Sequence, residues 1–371
     1  MKVPFVDLKR QYLSIKDSID LAIESVIDNT AFIGGKYVNE FEAEFAKMYG
    51  VKHCISCANG TDSLYIIMKM LGIGTGDEVI TAANSWISSS ETISQTGANP
   101  VFADVDYNFL TINIQDLEAK ITNRTKAIIP VHLTGQVCDM DKILELGKKY
   151  SIHVIEDCAQ SHFSEFKGHK AGTMGIAGSF SFYPGKNLGA YGDAGCIITN
   201  DNQLAEKCRM YARHGALIKH QHKMEGINSR LDGLQAAILL AKLPHILKWT
   251  DDRIRVAALY ERYLQEIKQI KTPVVRADSK HTFHLYVIVT EDRNNLMQYL
   301  KQKNIETAIH YPTALPYMEA YQYLGYNRED FPVASDLESK ILSLPIFPEI
   351  TESEVQYVAQ SIAEYFESTT G

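Results

Sequence analysis

Up to residue 249 the chain alternates short apolar runs with stretches of helical periodicity, and this alternation narrows the possible folds more than any other feature. Residues 54–57, 78–81, 100–104, 126–131, 153–156, 177–182 and 195–199 read as strands. Between them, 62–71, 85–96, 139–150 and 204–214 carry the apolar spacing of helices. Strands returned by helices predict an α/β fold with a mostly parallel sheet. Ligands in such sheets bind beyond the carboxyl ends of the strands, and the polar clusters of this chain fall there. A long helical stretch, 231–249, leads out of this unit. A helix over 252–267, a strand over 283–290 and a helix over 293–303 then predict a smaller α+β domain. The expected division is a large α/β domain over 1–249 and a small one over 250–371, the N-terminal segment packing with either.

Composition sets the outer bounds. The 371 residues are 45% hydrophobic and 22% charged, as in ordinary globular proteins. A formal net charge of −8 argues against a nucleic-acid partner. No apolar run is long enough to span a membrane, and the first residues lack the apolar core of a signal peptide. A cytoplasmic enzyme is expected. Cys54, Cys57, Cys138, Cys158, Cys196 and Cys208 should then remain thiols. Cys54 and Cys57 form a C-x-x-C within an apolar run, with no second pair at metal-site spacing, so they read as buried core thiols.

Three polar clusters follow expected strands. Lys186 lies in Ser179-Phe180-Ser181-Phe182-Tyr183-Pro184-Gly185-Lys186-Asn187-Leu188-Gly189, a turn rich in Pro and Gly. It is either a solvated loop lysine or an amine placed to form a Schiff base with an aldehyde cofactor. Asn59-Gly60-Thr61-Asp62 opens a helix, whose free N–H groups and positive dipole end suit a phosphate. Gly60 would let that phosphate come close, although a turn with an N-cap reads the same way. Glu156-Asp157-Cys158-Ala159-Gln160 sets two acids and an amide beyond an apolar run. Asp157 either caps a helix, with Glu156 paired to a surface base, or meets a protonated pyridinium nitrogen. The spacing from Asp157 to Lys186 fits one helix-and-strand excursion, so neighbouring elements can hold acid and amine at opposite ends of one ligand. Pyridoxal 5'-phosphate (PLP) needs those two groups, a phosphate anchor and a stacking ring. Trp86, in Asn84-Ser85-Trp86-Ile87-Ser88, offers that ring or is plain core. No P-loop sequence occurs.

Taken in order, these segments resemble the sugar-nucleotide aminotransferases of the DegT/StrS-like family, among the fold type I PLP enzymes. The resemblance rests on Val3-Pro4-Phe5-Val6-Asp7-Leu8, Asn59-Gly60-Thr61-Asp62-Ser63-Leu64, Gly76-Asp77-Glu78-Val79-Ile80 and Pro130-Val131-His132-Leu133-Thr134-Gly135-Gln136. It continues through Glu156 to Gln160, Phe180 to Gly195, Asn228-Ser229-Arg230-Leu231-Asp232 and Ile309-His310-Tyr311-Pro312. The resemblance implies that Lys186 is the Schiff-base lysine and moves protons, and that Asp157 is the pyridinium partner. It implies that Gln160 contacts the cofactor's phenolic side, that Gly60, Thr61 and Ser181 bind its phosphate, and that Trp86 stacks on its ring. Asn228 resembles a residue that reaches the phosphate in a neighbouring subunit, which implies a homodimer with shared sites. Tyr183, Arg213, His214, Lys219, His310 and Tyr311 lie on segments that resemble the sugar and diphosphate wall, and Arg213 or Lys219 suits a diphosphate by charge.

The implied substrates are a nucleotide-linked keto sugar and an amino donor, L-glutamate by resemblance. Gly185, where many members carry Thr, resembles the branch acting on dTDP-3-keto-6-deoxyhexoses, with C4 amination as the alternative. Lys at 186 favours transamination over the family's dehydratases, which carry His there. No cysteine is marked as a desulfurase nucleophile, and a regulatory protein that lost catalysis would not need the whole set Asp157, Gln160, Ser181 and Lys186. His220 and His222, beside Lys219 and Lys223, lack an acidic or Cys partner and read as a substrate loop, so no metal is expected. Thr134 and Phe163 depart from the common Tyr and Gly and are expected to alter substrate fit.

Overall fold

The computed structural model describes residues 1–369. Strands arise where the apolar runs predict them: β1 (His53–Cys57), β2 (Glu78–Ala82), β3 (Asn99–Ala103), β4 (Thr125–Ile129) and β5 (His153–Asp157). Two short strands, β6 (Glu165–Phe166) and β7 (His169–Lys170), precede β8 (Ala177–Ser181) and β9 (Gly195–Thr199). Seven of these form the central sheet in the order β1-β9-β8-β5-β4-β2-β3, and β9 alone runs antiparallel to its neighbours. Both faces are covered, as the continuous burial of β2 and β9 requires. Val79 and Ile197 join one apolar cluster with Leu64, Ile67, Ile93 and Leu204, while Ile80 and Ile198 join another with Phe41, Phe45 and Ile143. This is the two-residue period of a strand read out in packing.

Beyond the sheet, β10 (Ser279–Lys280) pairs with β6, while β11 (Tyr286–Val289) pairs antiparallel with β12 (Ile341–Leu344). Val256, Tyr260, Leu296, Leu342 and Val358 pack in a third cluster around β11 and β12. The N-terminus joins it: Val3 bridges Ile305, and Arg10 holds Glu354 with bonds of 2.8 and 2.6 Å. Helices at Leu8–Ser14, Lys16–Asp28 and Lys36–Tyr49 precede β1, where the sequence marked no elements. The helix expected over 231–249 is instead Gly233–Lys242, a 3-10 turn at Leu243–His245, and the start of Ile246–Leu264. Pro244 has no N–H to continue the ladder, and its ring crowds the preceding turn, so the break falls there. The second helix therefore begins early and runs through positions 249 and 250.

One buried carboxylate ties β5 to the turn that feeds β8. Glu156, fully buried, accepts bonds from the amides of Gly172 (2.7 Å), Met174 (2.7 Å) and Gly175 (2.6 Å). His132 Nε2 lies 3.0 Å from its Oε2, and the Cys138 amide donates to His132 Nδ1 at 3.2 Å. Accepting at Nδ1 leaves Nε2 to carry the ring's proton, which it gives to Glu156. The surface base expected for Glu156 is thus a buried histidine and three amides. His132, Glu156 and Cys158 stand close enough to share a metal, but the four donors occupy Glu156's acceptor sites. Removing this acceptor strands two buried and two part-buried donors, so Glu156→Ala should lower stability by about 3–5 kcal/mol. Urea unfolding followed by circular dichroism checks this, and a loss below about 1 kcal/mol would contradict it.

Candidate active site

A cavity of about 580 Å³ opens at the carboxyl ends of β1, β2, β5 and β8. Gly60 and Thr61 follow β1, Ser85 and Trp86 follow β2, Asp157 ends β5 and Gln160 follows it. Ser181 ends β8, and Tyr183 and Lys186 follow it. His310 and Tyr311 enter from the far side, with Phe5, Arg253, His284 and Ile346. Ten of the residues singled out by sequence therefore share one hollow: Gly60, Thr61, Trp86, Asp157, Gln160, Ser181, Tyr183, Lys186, His310 and Tyr311.

At one end the helix Gly60–Met70 begins. Asn59 caps it by accepting from the Asp62 amide at 2.8 Å, so the amides of Gly60 and Thr61 are left without acceptors among the described residues. A Cβ on Gly60 would lie 2.6 Å from Ser181 Cβ. Glycine is thus required for β8 to bring its hydroxyl beside those amides. Thr61 Oγ1 sits 2.7 Å from Ser88 Oγ. Two free amides, two hydroxyls and a helix dipole form a cradle for a phosphate.

At the other end stands Asp157. Its Oδ1 accepts from the Ala159 amide at 3.1 Å, and no bond is made to Oδ2 among the described residues. It caps no helix. Burial raises its pKa above the ordinary carboxylate value, against the Ala159 amide bond and the charge of Lys186. A cation in the cavity would offset that burial. Lys186 lies half-buried, and its Nζ makes no hydrogen bond among the described residues. Burial pushes its ammonium down to about 8, with the Asp157 charge opposing. An amine with a sizeable unprotonated fraction near neutral pH is what covalent capture of a carbonyl needs. Gln160 is clamped between the Thr134 amide (2.7 Å to Oε1) and the Tyr311 hydroxyl (3.0 Å from Nε2). The Trp86 ring, 60% exposed, meets Tyr311 at a centroid distance of 5.8 Å, so it is cavity wall and not core. His310 bonds Ser343 at 2.8 Å and is lowered to about 4 by burial and by Lys186. Phosphate cradle, unpaired acid, captive amine and flat ring fit PLP, whose ring nitrogen Asp157 would face and whose aldehyde Lys186 would hold.

Four expected residues lie elsewhere. Asn228 is exposed and lines a neighbouring hollow of about 360 Å³ with Arg230 and Asp232. Arg213 faces Glu42 at 4.0 Å, its backbone bridging Asn228. His214 is exposed, Lys219 is exposed on the loop after it, and none of the four lines the cavity of their own chain. Thr134 and Phe163 also stand behind the wall. Thr134 adopts φ 62° and aims its amide at Gln160, and Phe163 adopts φ 58° and packs on Tyr49. They support the site, and neither touches what fills it. All six cysteines are free and buried. Sequence reasoning missed Arg253 and His284. The signal for Arg253 was a charge on the apolar face of a helix, in line with Trp249, Val256 and Tyr260.

Comparisons with known proteins agree with this geometry. The model of the DegT/DnrJ/EryC1/StrS aminotransferase family matches residues 13–363. A pleiotropic regulatory protein of Geobacillus stearothermophilus is 43% identical over 99% of both chains. A dTDP-3-amino-3,6-dideoxy-alpha-D-galactopyranose transaminase of Aneurinibacillus thermoaerophilus is 42% identical over 98% of this chain and 99% of its own. A UDP-N-acetyl-3-dehydro-alpha-D-glucosamine 3-aminotransferase of Acidithiobacillus ferrooxidans is 39% identical over 97% of each. The crystal structure of S. venezuelae DesV superposes with a TM-score of 0.97 at 37% identity, covering 99% of both chains. The chain therefore belongs to the DegT/DnrJ/EryC1/StrS family, the PLP-dependent sugar-nucleotide aminotransferases of fold type I.

Proposed function

We propose that this enzyme transfers the amino group of L-glutamate to a dTDP-3-keto-6-deoxyhexose, giving a dTDP-3-amino-3,6-dideoxyhexose. The observation that carries the reading is the single cavity joining Lys186 to Asp157, Gln160 and the Gly60–Ser181 cradle. The A. thermoaerophilus relative, whose name states a C3 amino product, supports the choice of carbon. Gly185, before the lysine, points the same way. The alternatives are a UDP-linked sugar or amination at C4.

When bound, the cofactor supplies an aldehyde that exchanges amines and a ring that takes up electrons. Lys186 would hold it, and once displaced would carry the proton to and from the substrate carbon. Asp157 would keep the ring nitrogen protonated, and Gln160 would hydrogen-bond the phenolic side. Gly60, Thr61 and Ser181 would bind the phosphate, and Trp86 would cover one ring face. Tyr183, His310 and Tyr311, which line the same cavity, would contact the sugar. Asn228, Arg213 and Lys219, outside their own chain's cavity, are offered to the site of a second copy, which makes the working unit a homodimer. The division at 249/250 and a cytoplasmic location, compatible with six unpaired thiols, belong to the same proposal.

A regulatory role is the second reading, because the G. stearothermophilus relative bears that name. Two measurements separate it from catalysis. Lys186→Ala should lower turnover by more than about 1,000-fold and abolish the lysine-dependent absorbance of added PLP, and a fully active variant would refute the assignment. In the cofactor-free protein only the neutral amine captures PLP. The capture rate should therefore rise with pH and level off above about 8, far below an ordinary lysine. A rate still climbing beyond pH 10 would show that the amine is unperturbed. Finally, a panel of dTDP- and UDP-linked keto sugars with L-glutamate, followed by NMR location of the new C–N bond, should give a C3 amine on a dTDP sugar. A C4 amine would overturn that choice.

A further inference from the structure

We propose that His284 is a positioning residue for Lys186: its Nε2 lone pair accepts a hydrogen bond from the lysine ammonium whenever that nitrogen is not joined to a carbonyl. The inference rests on the reading of Lys186 above and deepens it. His284 lies just before β11 and lines the cavity, half-buried. Its main chain is held at the carbonyl by Arg253 Nη1 at 3.4 Å, and the next amide, that of Leu285, donates to the Thr134 carbonyl at 3.3 Å. Its ring is held by Asn187, the residue after Lys186, whose Oδ1 lies 3.2 Å from Nδ1. Asn187 is 3% exposed and gives its Nδ2 to the Thr282 carbonyl at 3.2 Å. Turning that amide over would set Oδ1 against a carbonyl, so Oδ1 faces the ring and can only accept. Nδ1 therefore carries the ring's proton, and Nε2 is a bare acceptor with no partner among the described residues.

Lys186 supplies the missing donor. An ammonium has three N–H groups, and this one makes no hydrogen bond among the described residues. Lys186, His284 and His310 share the cavity wall, and the charge of Lys186 acts on both rings and on His162. The other charges around them are Asp157 on β5 and Arg253, on which Glu349 acts in turn. Of the three rings, His284 alone both lines the cavity and has its lone pair fixed by the framework. His310 meets the Ser343 hydroxyl, which can give or take the proton. His162 is fully buried against Phe180 and Phe182 and does not line the cavity. Burial and the positive charges of Lys186 and Arg253 hold His284 neutral. A ring that accepts a hydrogen bond and resists taking the proton suits an amine that must carry one. It steadies the ammonium without discharging it, and the flexible stem of the lysine allows the swing.

The test follows two readouts: the capture of PLP by the cofactor-free full chain, and the half-reactions of the loaded enzyme. A hydrogen bond to the ammonium favours the charged form, so its loss lowers the pKa of the amine. In His284→Leu the pH of half-maximal capture should fall by about one unit, a tenfold change in the proton equilibrium. His284→Gln, whose amide reaches the place of Nε2, should restore most of that shift. His284→Asn, whose amide reaches only the place of Nδ1, should not. In the loaded enzyme His284→Leu should slow the saturated L-glutamate half-reaction by about tenfold or more, with the half-saturating concentration changed less than about threefold. A midpoint unmoved in His284→Leu, or restored equally by Gln and Asn, would overturn the positioning role. So would a defect confined to saturation by the sugar nucleotide, which would make His284 a contact of the sugar. Where the variants do not fold, nitrogen NMR of the histidine-labelled cofactor-free protein decides. A neutral ring protonated at Nδ1 should show an Nε2 resonance that moves on Lys186→Ala, and absence of such a ring would overturn the proposal. Capture that persists in Lys186→Ala would overturn the reading of Lys186 itself. Lysine-dependent capture with an unmoved midpoint would overturn the role of His284 alone.

Discussion

The start of one helix and the end of a strand two places away in the sheet meet at a point where no side chain fits. β1 and β8 are separated by β9, yet the first turn after β1 touches the last residue of β8 because Gly60 has no Cβ to meet Ser181. Gly195, at the start of β9, makes the crossing possible from below, since a Cβ there would strike the Asn59 carbonyl at 2.4 Å. Three elements thus converge on bare backbone. A methyl group forced into such a gap moves main chain, at a cost of about 1–3 kcal/mol. The separation between cradle and amine is set by this convergence, and the rest of the cavity is arranged around it.

Burial does opposite things to the two charged groups facing each other across that cavity. It raises the Asp157 carboxyl and lowers the Lys186 ammonium, and each opposes the other's shift through its charge. The Asp157 carboxylate has a single bond, from the Ala159 amide, and the Lys186 amine has none among the described residues. The surrounding framework is saturated by contrast: Glu156 has four donors and Gln160 is held at both ends. Satisfied networks thus hold in place the groups that would touch a ligand.

Much of this was legible in the sequence because it is local. Strand periodicity is written in consecutive residues, and the polar clusters at strand ends follow from it, which is why Gly60, Asp157 and Lys186 could be singled out, while the roles of Gln160 and Ser181 came from the family resemblance. What depends on distant packing was not legible. Pro244 sits in a strongly apolar helical pattern, and its break moved the next helix earlier. Arg253 looked like one more charge on a long helix until its neighbours placed it on the buried side. Thr134 and Phe163, read as pocket residues from their position in family motifs, turned out to shape backbone behind the wall. Their positive φ angles are invisible without coordinates.

The first residues of the chain contribute Phe5 and Val6 to the cavity, and Val3 is seated against Ile305. Ile346, near the other end, lines the same hollow. A ribosome makes these parts in order, N-terminus first. The segment around Val3 must therefore wait, unpaired, until Ile305 and the residues up to Glu354 have been made before its docking surface exists. The seven sheet strands are complete by Thr199, so a nascent chain can own the sheet while the cavity still lacks a wall. Closure of the cavity therefore comes after the sheet in the order of synthesis, and that order is written into which residues meet.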